Sequence, residues 1–276
     1  MSALCKRSAV LVCAVMMVLT SAACHSVVPL GKDSDELKAL NPICTSAIPY
    51  RRSTIPGNST HCLRWNERTL TYRVAAKNAR GRPTDEEVAA VYRAFATWEA
   101  ASDRCSDLLF VPGRRLDSAV TANDGQTAVL FRDRQCEGLV PLNDPCWTDL
   151  SCGNQYGCWG HGDSPMALTT STNSASTGEL QDADIELNGA SFVLSTVDAP
   201  ACDDAHQSVS CVANDVQGTL THEIGHMLGL DHTDAIGSTM EATSHVGSTS
   251  KRLVDSGSAC FLCSVYPAGA PSNDCQ

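Results

Sequence analysis

Residues 222–232 read His-Glu-Ile-Gly-His-Met-Leu-Gly-Leu-Asp-His. His222 and His226 are four residues apart, so on an α-helix they project from one face on neighbouring turns. That is the bite a tetrahedral zinc ion needs from two imidazoles, with metal–nitrogen distances of about 2.0–2.1 Å. Glu223 stands about 100° round the helix, beside the metal without chelating it, where it can take a proton from water. His232 cannot complete the site from the same helix. It would lie about 15 Å further along the axis and about 80° off the face of His222. The chain therefore has to turn sharply after His226, and Gly229 is placed to do it, since glycine adopts left-handed backbone angles without a Cβ penalty. Three imidazoles leave a fourth coordination position open, as in catalytic zinc sites; a structural site would favour cysteine ligands and leave Glu223 without a role.

The rest of the composition fits a folded, exported protein. The chain has 276 residues, 43% of them hydrophobic, with 20 Lys+Arg against 31 Asp+Glu and a formal charge of -11. An apolar fraction of that size can build a core. The acidic balance argues against nucleic acid as a partner, because such binding rests on Lys and Arg neutralising phosphates. It also disfavours docking on anionic lipid, and favours neutral or basic targets. No apolar run reaches the roughly 18 residues that a membrane-spanning helix requires.

Residues 1–23 have the parts of an export signal. Lys6 and Arg7 precede an apolar stretch from Ala9 to Leu19, and Ser21-Ala22-Ala23 supplies the small residues of a cleavage site. Cys24 then stands where bacterial lipoproteins carry their lipidated cysteine, although Ser21 departs from the branched apolar residue usual there. Of the 15 cysteines, Cys5 and Cys13 would leave with the signal, and lipidation of Cys24 would leave an even set for disulfides in an oxidising compartment. The expected location is the bacterial cell envelope as a lipoprotein, or the medium as a secreted protein.

Residues 24–61, rich in Pro, Ser, Thr and Gly, read as a tether or lead-in. Residues 62–267 read as one domain and 268–276 as a tail. Leu70, Tyr72 and Val74 alternate with polar residues and predict a strand over 68–75. Thr84 with Glu87 forms a capping box, and Val88, Val91, Tyr92, Phe95 and Trp98 then mark an amphipathic helix over 85–100. Further strands are expected at 108–111, 128–131, 167–170 and 185–187. Cys136, Cys146, Cys152 and Cys158 crowd a Gly-rich loop, where disulfides are favoured over a zinc knuckle in an exported chain. Cys202 with Cys211 reads as a loop staple, and Cys260 and Cys263 as partners of distant cysteines. Strands gathered early, with the histidine helix after them, give the fold class α+β.

The 222–232 motif resembles the signature of the metzincin metalloproteases. Ser238-Thr239-Met240 is similar to their Met-turn, which implies that Met240 supports the three histidines from below. The segments Asp215-Val-Gln-Gly-Thr-Leu-Thr-His-Glu-Ile-Gly-His, Asp182-Ala-Asp-Ile-Glu-Leu-Asn and Phe95-Ala-Thr-Trp98 resemble bacterial matrixin-like members. The resemblance covers about residues 62–267. It implies a twisted five-stranded mixed sheet, three helices and a zinc cleft between two lobes. The zinc helix would run over about 214–229 and a last helix near 255–265. Ala167, Leu168 and Thr169 would form the antiparallel edge strand to which a peptide adds by main-chain hydrogen bonds. The segment from about 233 to 250 would build the pocket for the residue after the scissile bond.

Three features depart from the matrixin pattern. Thr233 replaces the usual Ser after the third histidine, Glu241 follows the Met where apolar or aromatic residues are commoner, and no cysteine-switch propeptide is present. His161-Gly-Asp163 resembles part of the structural-zinc loop of animal matrix metalloproteinases, but Thr169 and Asp184 stand where further histidines would fall. His161 therefore reads as a surface-loop residue, as do His25, His61, His206 and His245. Calcium is common in the family, yet no EF-hand pattern assigns ligands here.

The expected function is a zinc metalloendopeptidase acting on protein or peptide substrates, with His222, His226 and His232 as ligands and Glu223 as general base. The alternatives are a non-catalytic or latent surface binding protein on the same scaffold, and a zinc hydrolase of a non-peptide bond. Oligomeric state is not legible.

Overall fold

The computed structural model describes Cys44 and residues 48–275, apart from 77, 79, 104, 118 and 119. The export signal, Cys24, His25 and most of the lead-in lie outside the described residues. In chain order the elements are β1 Arg51–Arg52, β2 Thr54–Ile55, β3 Asn58–Cys62, β4 Thr69–Val74, α1 Asp85–Ser102, β5 Leu109–Pro112 and β6 Thr127–Arg132. They continue with α2 Cys146–Asp149, α3 Cys152–Tyr156, β7 Ala167–Asn173, β8 Leu180–Asn188, β9 Leu194–Ser195 and β10 Asn214–Asp215. The last are α4 Val216–Met227, β11 Leu230–Asp231, a 3₁₀ turn Ser250–Arg252 and α5 Ser256–Val265.

Five strands form one sheet in the order β5-β4-β6-β8-β7. All neighbours run parallel except β7, which runs antiparallel to β8 at the edge. Central β6 is buried at every position, as a parallel strand covered on both faces must be. On β4, Leu70, Tyr72 and Val74 turn inward while the alternate residues are partly or fully exposed. β5 starts one residue later than the apolar run predicts, because the Leu109 N–H pairs with the Arg68 carbonyl. It ends at Pro112 on the sheet edge, where a missing N–H is tolerated.

The capping box opens α1 as expected, Thr84 accepting from Glu87 N and Glu87 reaching back to Thr84 N. Val88, Val91, Phe95 and Trp98 are buried, and Phe95 stacks on Tyr72 of β4 with ring centroids 3.6 Å apart. Tyr92 departs from the expected stripe: it is 40% exposed, and Ala90 and Ala94 fill the core-facing positions instead. Besides α1, α4 and α5, two short helical turns, α2 and α3, lie in the cysteine-rich loop. They are held by the Cys136–Cys158 and Cys146–Cys152 disulfides, so that loop is a stapled unit rather than a zinc knuckle.

The lead-in and tail differ most from their sequence reading. From residue 48 onward the lead-in belongs to the domain: β1 pairs with β11, β2 with β3, and Cys44 bridges to Cys260. The tail is pinned by Cys62–Cys275 and by Asp274, whose carboxylate accepts from His61 Nδ1 at 2.7 Å and Cys62 N at 2.8 Å. Their polar composition is that of a linker, but covalent bridges and main-chain pairing supply what side-chain burial does not. Cys105–Cys263 and Cys202–Cys211 complete the pairing of all cysteines among the described residues. No helix among these residues is long and apolar enough to cross a membrane.

His161 is also more than a loop residue. Its Nε2 lies 3.0 Å from Glu186 Oε2, and Arg132 Nε donates to Glu186 Oε1 at 2.5 Å. Arg132 and Glu186 are buried on adjacent strands, so each compensates the other's desolvation. Arg132→Met strands the carboxylate and should cost about 3–5 kcal/mol of unfolding free energy, read by denaturant titration. The double variant Arg132→Met with Glu186→Gln should recover part of that loss.

Candidate active site

The histidine helix α4 begins at Asp215, whose carboxylate accepts the Gly218 N–H at 2.7 Å and so satisfies a free donor of the first turn. The same carboxylate takes Arg252 Nε at 2.9 Å and Nη2 at 2.6 Å. Trp98 Nε1 donates to the Thr221 carbonyl at 2.8 Å, locking α4 to α1 one residue before His222. At the other end, Trp65 Nε1 donates to Met227 O at 2.7 Å and the Tyr266 hydroxyl to Leu228 O at 2.6 Å. Carbonyls left open at the helix C-terminus are thus capped by buried side chains.

Gly229 makes the turn, with φ at +98°. A Cβ there would also sit 2.3 Å from the Leu63 carbonyl oxygen. Beyond it, β11 is held by β1, and His232 swings back over α4. The three Nε2 atoms of His222, His226 and His232 are mutually 3.1 Å apart. His222 Nδ1–H donates to Thr239 O at 2.7 Å and His226 Nδ1–H to Leu230 O at 2.9 Å. Backbone carbonyls only accept, so these two rings carry their proton on Nδ1 and turn bare Nε2 lone pairs toward one another. Such lone pairs repel unless a cation sits between them, and the spacing suits a tetrahedral ion with bonds near 2.0–2.1 Å. Burial pushes the His222 pKa well below its ordinary value and lowers those of His226 and His232, which keeps the rings neutral as ligands must be. Among the described residues this triad is the group of three potential ligands that converges.

Glu223 is buried beside the triad, and its carboxyl is pushed up to about 7 by burial, against the opposing effect of a hydrogen bond from Thr169. The Thr169 hydroxyl lies 2.7 Å from Glu223 Oε2 and 3.0 Å from the Glu223 carbonyl. Thr169 belongs to β7, whose Ala167, Leu168 and Thr169 line a cleft of about 640 Å³ together with Glu223 and the three histidines. Strand β7 has β8 on one side only, which leaves its other edge toward the cleft.

Met240 is fully buried, its sulfur packed so closely against α4 that a Cβ on Gly225 would stand 2.3 Å from it. The turn that carries it is fastened by Asp255, the N-cap of α5. That carboxylate accepts from Thr239 N at 2.8 Å, Ser238 Oγ at 3.1 Å, Ser258 Oγ at 2.7 Å and Gly257 N at 2.7 Å. Thr239 is the residue whose carbonyl orients His222, so Asp255 supports a ligand through one intervening residue.

The family model for matrixin matches residues 154–258, the stretch holding β7, β8, Glu223, all three histidines and the Met240 turn. Over that stretch the chain is similar to the matrixins. No curated protein matches the chain.

The structure brings together every site residue read from the motif. Sequence reasoning missed Thr169 as a partner of Glu223, the Asp255 support and the pairing of β1 with β11. Asp255 before Ser-Gly-Ser and an apolar run carries an N-cap signal that could have marked it. The other two depend on pairings remote in sequence. Asp184, where a further histidine was weighed, is a buried carboxylate accepting from Ala122 N and Ala128 N at 2.8 and 2.7 Å, and burial pushes it up to about 7.

Burial pushes the Asp255 pKa up, but its donors outweigh this and hold it below the ordinary carboxylate range. A depressed folded-state pKa contributes stability that is present above the unfolded value and lost as pH falls through the folded one. Asp255→Ala should therefore lower stability by about 2 kcal/mol at neutral pH, with the gap to wild type narrowing below about pH 4. The same variant should weaken metal affinity about tenfold or more in chelator competition.

Proposed function

We propose that this chain is an exported zinc-dependent endopeptidase. The observation that carries the reading is the triangle of Nε2 atoms, two of them bare, beside a buried carboxylate, on a cleft bordered by an open strand edge. Zinc held by His222, His226 and His232 would supply Lewis acidity, activating water and polarising the scissile carbonyl. Glu223 takes the proton of the attacking water and passes it to the departing amine. Burial raises its pKa above the ordinary carboxylate value, which favours taking up that proton. Thr169 holds the Glu223 carboxylate toward the cleft by a hydrogen bond that survives no change of register in β7. The substrate main chain pairs with the free edge at Ala167, Leu168 and Thr169, and side-chain pockets set selectivity. Gly229 gives His232 its position, and Met240 packs the floor beneath the ligand helix.

Export by residues 1–23 and lipidation at Cys24 complete the proposal. All twelve cysteines from Cys44 onward are taken by disulfides, which supports a separate fate for Cys24. Mass spectrometry of the mature N-terminus tests it: a diacylglyceryl thioether is expected, and an unmodified secreted chain refutes it. A purely binding role is less well supported, because the sequence supplies the ligands and the base together. Calcium ligands are not assigned.

The test is cleavage of unfolded casein or gelatin by the purified protein, with zinc content measured in parallel. Glu223→Gln should hold one zinc per chain and lose activity by about 10²–10⁴-fold. Thr169→Val should lower kcat by about tenfold or more while Thr169→Ser stays close to wild type. Full proteolysis by Glu223→Gln would overturn the general-base role. A zinc-loaded wild type that cleaves nothing would favour a binding or latent scaffold.

A further inference from the structure

Lys251 is placed where a soluble domain seldom leaves an ammonium. It sits in the 3₁₀ turn packed on α4, its Cβ 3.4 Å from where a Cβ on Gly218 would stand, and only 9% of the residue is exposed. Its Nζ donates to the Glu241 carbonyl. An ammonium has three donors, and this is the hydrogen bond Lys251 makes among the described residues. No carboxylate there lies within ion-pair distance of it. Of the neighbouring acids, Asp215 is paired with Arg252, while Glu241 and Glu223 act on the ammonium electrostatically without reaching ion-pair distance. Taking an ion out of water costs several kcal/mol unless a counter-charge compensates. Burial lowers the Lys251 pKa to about 8 even though Glu241 and Glu223 offset part of that cost, so the ammonium at one end of the cleft is incompletely compensated.

The location connects the charge to the substrate path. Met166, Thr219, Ser244 and Lys251 line both the cleft that holds the histidines and a small recess beside it. The recess lies on the 233–250 side of the site, where the side chain after the scissile bond is expected. The recess is small, about 10 Å³, and its walls mix the Thr219, Ser244 and Ser248 hydroxyls with Met166 and with Asp215, whose carboxylate is paired with Arg252. A substrate side chain therefore meets Lys251 from the larger cleft.

We propose that Lys251 is a specificity-determining residue and that the enzyme selects a carboxylate, the side chain of Glu or Asp at the position following the scissile bond. The inference rests on the endopeptidase reading above and adds its substrate class. It runs against the chain's overall charge, which favours neutral or basic targets. The pocket decides over the surface, because a buried charge acts through a low-dielectric path while surface charges are screened within about 8–10 Å.

The experiment uses the zinc-loaded protein and internally quenched peptides that differ only in Glu, Gln, Leu or Lys at that position. Wild type should favour Glu over Gln by about tenfold in kcat/KM, the usual scale for one charge-assisted hydrogen bond. Lys251→Met should bring that ratio close to one, and Lys251→Arg should keep part of it; thermal melts establish that both variants fold. Peptides ending one residue beyond the scissile bond, as free acid or amide, form a second arm. A preference that follows the free terminus instead of the Glu side chain would overturn the side-chain assignment. Fluorescence anisotropy with zinc-loaded Glu223→Gln forms a third arm that needs no turnover, and the Glu peptide should bind more tightly than the Gln peptide. Equal binding of the two, or a Glu preference that persists in Lys251→Met, overturns the role of Lys251. Absence of cleavage with selective binding intact would count against the endopeptidase alone.

Discussion

Three imidazole nitrogens stand 3.1 Å apart, and much of the molecule holds them there. Bare lone pairs at that separation repel, and each ring brings its own conformational entropy. Two ligands come cheaply from adjacent helical turns. The third comes from residues that have left the helix, so the turn at Gly229 must hold one geometry. The fold fastens that turn from several sides: Leu63 crowds Gly229, β1 pairs with β11, and Trp65 and Tyr266 cap the last helical carbonyls. Leu63 and Asp231 of β11 also line the cleft, and each of these contacts narrows where His232 can stand.

A similar logic runs through the other supports. Asp255 gathers the N-terminus of α5 and the 238–240 turn onto one carboxylate, and the Thr239 carbonyl then orients His222. Trp98 carries the same helix onto α1, which in turn stacks on β4 through Phe95 and Tyr72. The site is therefore supported by the core through hydrogen bonds to backbone carbonyls, together with the capping carboxylates of Asp215 and Asp255. Arg132 and Glu186 pair their buried charges, whereas Asp184 has backbone donors and Lys251, at the cleft, has the Glu241 carbonyl within hydrogen-bond distance.

The disulfides explain how short, polar segments share in this order. Cys44–Cys260, Cys62–Cys275 and Cys105–Cys263 tie both ends of the described chain to α5 or to each other across long stretches of sequence. Closing such long loops restricts the unfolded chain most strongly in the entropic account. A lead-in of Pro, Ser and Thr can then serve as a clamp on the histidine turn although it buries little.

By itself the sequence determined the constellation: a spacing of four places two histidines on one helix face, a glycine permits the turn to the third, and an acid stands beside them. Periodicity also located α1 and the inner strands, because burial of a stripe or a face leaves a local trace. Capping at Thr84 was legible for the same reason. What only the tertiary structure decided has no local trace. The partner of Glu223 is Thr169 because β7 is laid antiparallel on β8, and strand pairing is a choice between distant segments. Residues 48–61 read as a linker because their order comes from main-chain bonds and disulfides, which leave no apolar pattern. Lys251 carries no local signal either, since in sequence nothing distinguishes a solvated ammonium from one folded under a turn.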